Sequence, residues 1–167
     1  MDSQEAATSP PFSTTIALLL SACEAAEPQR VVLVAGDRAI TVTEFAGHAR
    51  SVAAELLERG LMPGDPVVTM LGNGPNHAAI FLGICLAGAL WVPLSPQARG
   101  PSLVHSLSVA TPKLAFATPE AASQLHAANL TTDCQMIECD GWALPERPDR
   151  DDLDLPQATP DTVRAIL

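Results

Sequence analysis

From Ala78 to Leu94 the chain carries no charged side chain, and the stretch ends in Val92-Pro93. It falls short of the roughly 20 residues that a helix needs to span a bilayer. It is also too apolar to lie on a surface. The reading that fits is a buried helix, apolar nearly all round and covered on several sides, that turns at Gly88 directly into a buried strand. A chain built around such a piece needs further helices and strands to enclose it, and its 167 residues are enough for one ordinary domain with a real core.

The flanking sequence supplies those elements in alternation. Ser13 or Thr14 can cap a helix whose apolar positions continue through Leu20. Val31–Val34 and Ala39–Val42, joined by Gly36-Asp37, form a hairpin pattern. Thr43 then opens an amphipathic helix with Phe45, Ala49, Val52, Ala53, Leu56 and Leu57 on one face, Glu44, Arg50, Glu55, Glu58 and Arg59 outward, and Gly60 at its end. Gly60–Asp65 turns into a short strand, Val67–Met70, and Leu71–Gly74 loops into the buried helix, Asn76–Ala87, with Pro75 at its first position. Strand Ala89–Pro93, helix Gly100–Ala110, strand Lys113–Ala117, helix Pro119–Ala128 and strand Gln135–Ile137 continue the pattern. Such alternation predicts an α/β fold, a mostly parallel sheet flanked by helices on both faces.

The expected organisation is a flexible arm over 1–12, an α/β subdomain over 13–139, an acidic Pro-rich connector over 140–161, and the opening of a further strand over 162–167. A strand that opens at the last residues predicts that further sequence belongs downstream. Nine Lys and Arg against 19 Asp and Glu give a net charge of −10 and a pI near 4.6, which disfavours nucleic acid as a partner. Cys23, Cys85, Cys134 and Cys139 lack the spacing of a redox pair or zinc knuckle, and read as reduced thiols in a cytoplasmic protein. His48, His77, His105 and His126 are equally dispersed, so no metal site is expected. Ile16–Cys23 ends in the L-S-A-C of a lipoprotein signal, but Asp2 and Glu5 precede it where basic residues belong, and it reads as an amphipathic helix.

Chemistry-bearing motifs are sparse. Gly72-x-Gly74-x-x-His77 after a strand is two-thirds of a dinucleotide glycine loop. Its third glycine is His77, and no acidic residue lies between Pro66 and Pro119 to take a ribose hydroxyl, so it reads as a turn. Ser95 follows a buried strand, where a nucleophile could sit, but Pro96 leaves no oxyanion N–H after it. His77 has no carboxylate nearby to orient it and reads as solvent-facing, and Asp65 reads as a turn residue. Asp149, Asp151, Asp152 and Asp154 lack the glycine and terminal glutamate of a calcium loop. The expectation is therefore no catalytic, cofactor-binding or metal-ligating residue on this chain.

The order of the pieces resembles the beginning of the adenylate-forming superfamily, which comprises acyl-CoA synthetases, peptide-synthetase adenylation domains and luciferases. Thr41–Phe45 is similar to the block that opens the first long helix, and Gly60–Val67 to the turn into the next strand. Asn76–Pro96 resembles the most specific block, in which a helix closes at Ala-Gly and a strand leads to Val-Pro-x-x-Pro. Leu103–Phe116 continues the match, and Asp161–Leu167 looks like the strand before the phosphate-binding loop.

The resemblance implies the incomplete N-terminal subdomain of the adenylate-forming fold. In the complete enzyme it implies ATP and Mg2+, a carboxylic acid activated as its acyl-adenylate, and transfer of the acyl group to coenzyme A or a carrier thiol. The phosphate loop, the ribose aspartate and the C-terminal lysine of the family lie beyond Leu167, so none is carried onto a numbered residue. The missing C-terminal portion is then the expected partner, and this chain alone is expected to bind no cofactor and to be inactive. The Trp91–Leu94 strand and Gly100–Leu103 look more like the coenzyme A ligases than the peptide synthetases. The alternative is a noncatalytic interaction module that docks on a separately encoded remainder or a homologue. A poorer third reading is a free-standing nucleotide-binding domain around Gly72–His77.

Overall fold

The computed structural model of the chain describes residues 16–130 and 133–142. Helix α1 (Ile16–Ala26) leads into an antiparallel hairpin of β1 (Val31–Ala35) and β2 (Arg38–Thr41). Gly36 takes a φ of +60° at the first position of the hairpin turn, a conformation glycine adopts without steric cost. Then follow α2 (Val42–Glu58), β3 (Pro66–Met70), α3 (Pro75–Leu86), β4 (Leu90–Pro93), α4 (Gly100–Ala110), β5 (Leu114–Ala117), α5 (Pro119–Ala127) and β6 (Gln135–Glu138). The last four strands form one parallel sheet in the order β4-β3-β5-β6. The α/β fold with a parallel core sheet is thus the one the sequence predicts.

The inner strands of this sheet read in sequence as mostly apolar runs, yet their side chains separate by alternation into two cores. Val67, Leu114 and Phe116 pack with Ala49, Val52, Leu56, Ile80 and Ile84 of α2 and α3. Val68, Met70, Val92, Ala115 and Ala117 pack on the opposite face with Leu103 and Leu107 of α4 and Ala121 and Leu125 of α5. The chain leaves β3 by α3 to reach β4, then crosses back by α4 to reach β5 on the other side of β3. Right-handed crossovers that run in opposite directions put their helices on opposite faces, which is why both faces are covered.

Three local expectations shift. Helix α2 begins at Val42 rather than Thr43, because Thr41 caps it: its Oγ1 accepts the Glu44 N–H at 3.3 Å. The Thr43 hydroxyl instead donates to the Pro28 carbonyl at 3.2 Å. Arg50 does not face outward. Its guanidinium makes a two-pronged pair with Glu24 of α1, at 2.7 and 3.2 Å, with the two side chains only 13% and 20% exposed. Finally, α1 reaches Ala26, past Leu20, and presents Ile16, Ala17 and Leu20 to the first core while Leu18 and Leu19 stay exposed. Its capping residues, the arm over 1–12 and the strand over 162–167 lie outside the described residues, as does the connector beyond Trp142. No helix among the described residues is long and apolar enough to cross a membrane.

Candidate functional site

In open parallel sheets, ligands bind outside the carboxyl ends of the strands at the switch point where the strand order reverses. Here that point lies between β3 and β5. The Gly72–Gly74 loop carries β3 into α3 on one face. Thr118 carries β5 into α5 on the other, capping it by accepting the Ala121 N–H at 3.2 Å. The glycine loop singled out in the sequence therefore sits at the topological position of a phosphate site, but it is already engaged. The segment after β6 folds back across this crest: Cys139 N–H extends the ladder to the Ala117 carbonyl at 2.9 Å, and His77 N–H at the start of α3 donates to the Gly141 carbonyl at 3.1 Å. The Asn76 side-chain amide donates to the Asp140 carbonyl.

This arrangement corrects the reading of the loop as a set of turn-tolerant residues. Gly74 is extended, with a φ of −179° that any residue can adopt. Space decides its identity: a Cβ on Gly74 would collide with the Gly141 carbonyl oxygen and lie 2.8 Å from its carbon. A Cβ on Gly141 would likewise collide with the Gly72 carbonyl oxygen. The two backbones touch where side chains would otherwise separate them. Gly141 and the buried Asn76 escaped the sequence reading, since Asp140 to Trp142 looked like the start of a connector; the faint signal was a glycine between two larger residues.

On the α3 side of the sheet the crest holds a short polar chain. Trp91 Nε1–H donates to Thr69 Oγ1 at 2.8 Å, and Thr69 Oγ1 lies 3.1 Å from His77 Nε2. Because the hydroxyl already accepts from the indole, its own proton is free for Nε2. The imidazole also hydrogen-bonds to the Gly72 backbone. His77 is thus held half-buried on the sheet, at the edge of an open cavity, rather than standing free in solvent as its sequence context suggested. Burial pushes its pKa below the ordinary histidine value, opposed in part by the Gly72 bond. Trp91 stacks at a tilt on Phe81, with centroids 4.5 Å apart. These aromatic rings, with Asn73, Gly74 and Ala78, line an open cavity of about 310 Å³.

The remaining sequence candidates are dispersed. Ser95 sits exposed in a turn, donating to Gln97 Oε1 at 2.8 Å and accepting the Gln97 N–H at 3.2 Å. Asp65 Oδ2 accepts the Met62 N–H at 2.8 Å and closes the turn before β3. All four cysteines are free thiols, and burial raises the Cys134 thiol to about 11. Among the described residues no three His, Cys, Asp or Glu gather to hold a metal. Asp149, Asp151, Asp152 and Asp154 lie outside the described residues.

Known proteins share both the sequence and the fold. A fatty-acid–CoA ligase of Mycobacterium tuberculosis, FadD6, is 35% identical over 94 residues, 56% of this chain and 16% of the ligase. A dimodular nonribosomal peptide synthase of Bacillus subtilis is 29% identical over 98 residues, 59% of this chain and 4% of the synthase. The solved adenylation–PCP di-domain NpsA-ThdA of Klebsiella oxytoca superposes with a TM-score of 0.75 over 93% of this chain and 28% of its own, at 19% identity. The chain therefore spans a minor part of the length of these relatives. The family described as AMP-binding enzyme matches residues 20–166, nearly the whole sequence, and the chain belongs to that adenylate-forming family.

Proposed function

We propose that these residues are the N-terminal scaffold of an ATP-dependent carboxylic acid–thiol ligase that works in the cytoplasm through an acyl-adenylate, and that they form no adenylate alone. The observation that carries this reading is the family match across 20–166 in a chain that covers only 16% of FadD6 and 4% of the peptide synthase. Catalysis needs charged and hydrogen-bonding groups held around the reacting phosphate, not the fold alone. The described residues do not fit a nucleotide: the amino end of α3 is taken up by Gly141, the sequence from Pro66 to Pro119 holds no acidic residue to take a ribose hydroxyl, and the Asp140 carboxylate beside the helix accepts the Trp142 N–H. The acyl acceptor is a thiol of coenzyme A or of a carrier, since relatives of both kinds match.

Pyrophosphate exchange tests both halves of the proposal. The 167-residue chain, given MgATP and a panel of carboxylic acids, is expected to show no acid-dependent exchange, and saturable exchange would refute its inactivity. A chimera in which this chain replaces the matching stretch of FadD6 is expected to recover exchange. A folded but inert chimera would refute the scaffold reading.

The second reading, a noncatalytic module that docks on a separate remainder or a homologue, is favoured by the apolar surface of α1 and β1. Leu18, Leu19, Val31, Val32 and Val34 are all exposed there, Val34 by 71%. Co-sedimentation of this chain with intact FadD6, together with an inert chimera, would favour the module.

A further inference from the structure

We infer that Cys139–Trp142 is a latch, a strap of the chain's own backbone that shuts the crevice between β3 and β5 and opens without unfolding the sheet. The strap hangs from β6, which among the described residues is an edge strand bonded only to β5. It crosses the crest to the amino end of α3, where its closure is made almost entirely by carbonyl groups. Gly141 takes the His77 N–H and Asp140 takes the Asn76 amide. The glycines interlock reciprocally, Gly74 against the Gly141 carbonyl and Gly141 against the Gly72 carbonyl. A side chain at either position would hold the strap off.

What closes the latch differs from what holds the core. Trp142, the one large side chain of the strap, is 60% exposed and anchors nothing in either core cluster. Its N–H is instead satisfied within the strap, by Asp140 Oδ1. Cys139, at the root of the strap, packs on the first core; beyond it the described residues hold by a few hydrogen bonds and a close backbone fit, with little apolar burial to resist opening. The strongest element is Asn76, only 2% exposed, whose amide would lose its partner when the strap lifts. That contact makes the closed position specific. While the strap is down, the His77 N–H and the space between the β3 and β5 loops are closed to any incoming group.

Amide exchange measured by NMR on the full chain tests the latch. In the wild type, the His77 amide is expected to exchange at least tenfold faster than those of Val68 and Phe116, which sit in the two central strands. Gly141→Ala is expected to lower His77 protection at least a further tenfold while leaving Val68 and Phe116 unchanged. Gly74→Ala, which attacks the same contact from the other side, is expected to do the same, and the double variant to do no more than either one. The inference is overturned if His77 is as protected as the core strands in the wild type. It is equally overturned if neither variant moves His77, or if Val68 and Phe116 lose protection in step with it.

Discussion

Gly83 lies in the middle of α3, buried, where helix α3 crosses α2. On an exposed helix, replacing such a glycine by alanine would add about 1 kcal/mol of stability, because alanine loses less backbone freedom on folding. Here the added Cβ would lie 2.5 Å from Val52 Cβ, 2.6 Å from Val52 Cγ1 and 2.8 Å from the Ala49 carbonyl oxygen. Rotating Val52 relieves only the contact with Cγ1, since its Cβ and the Ala49 oxygen move only with the backbone of α2. The helices must therefore separate, and overpacking of this kind costs about 1–3 kcal/mol, at the upper end when backbone is involved. Setting about 3 kcal/mol against the gain of about 1 leaves Gly83→Ala destabilised by about 2 kcal/mol. For a chain of this size that corresponds to a fall in Tm of roughly 4–8 °C. In urea, with a slope of about 2 kcal/mol/M, the midpoint falls by about 1 M. Equilibrium unfolding followed by far-ultraviolet circular dichroism reads both. A variant whose midpoint equals or exceeds that of the wild type would refute the close helix contact.

Two further outcomes follow from the half-buried titratable groups. The pKa of His77 in the fold lies below the unfolded value near 6.5, because burial disfavours the charged ring. As pH falls below that value the unfolded chain takes up a proton that the native state refuses, so stability declines until the folded pKa is passed. Urea midpoints measured down through this window should fall more steeply for the wild type than for His77→Gln, and parallel curves would refute the lowered pKa of His77. Cys134, with its thiol raised to about 11, should react with a disulfide reagent at pH 8 at least tenfold more slowly than the exposed Cys23. Peptide mapping of the labelled thiols distinguishes the two, and equal labelling would refute the burial.

The helices and strands could be read from the chain because the forces that set them act over a few residues. Pro75 at the start of α3, Gly60 and Gly88 after α2 and α3, and Gly36 in the hairpin turn mark boundaries by their own backbone chemistry. Helix α4 begins and ends at the predicted residues, Gly100 and Ala110. Where a boundary moved, as at Thr41, the cap was one residue before the helix rather than its first apolar-periodic position, and the Thr43 hydroxyl reaches the Pro28 carbonyl, a partner 15 residues away in the chain. The family blocks were legible for the same reason, since each is a local pattern of turn and apolar residues.

The candidate site was legible only in part. The Gly72–His77 motif marked its place, but the role of each residue came from partners far along the chain. Asn76 meets Asp140, Gly74 meets Gly141, and Arg50 meets Glu24. Thr69, a plain strand residue in sequence, becomes the hinge of a hydrogen-bond chain because parallel pairing sets Trp91 on the neighbouring strand and α3 lays His77 over it. By itself the sequence determined the alternation of elements, their turns and the family, all properties of neighbours in the chain. Only the tertiary structure decided the strand order, which side chains of each apolar strand share a core, and that the glycine loop is filled by the chain's own backbone. Those depend on which distant segments can approach within van der Waals contact, and no local pattern encodes that distance.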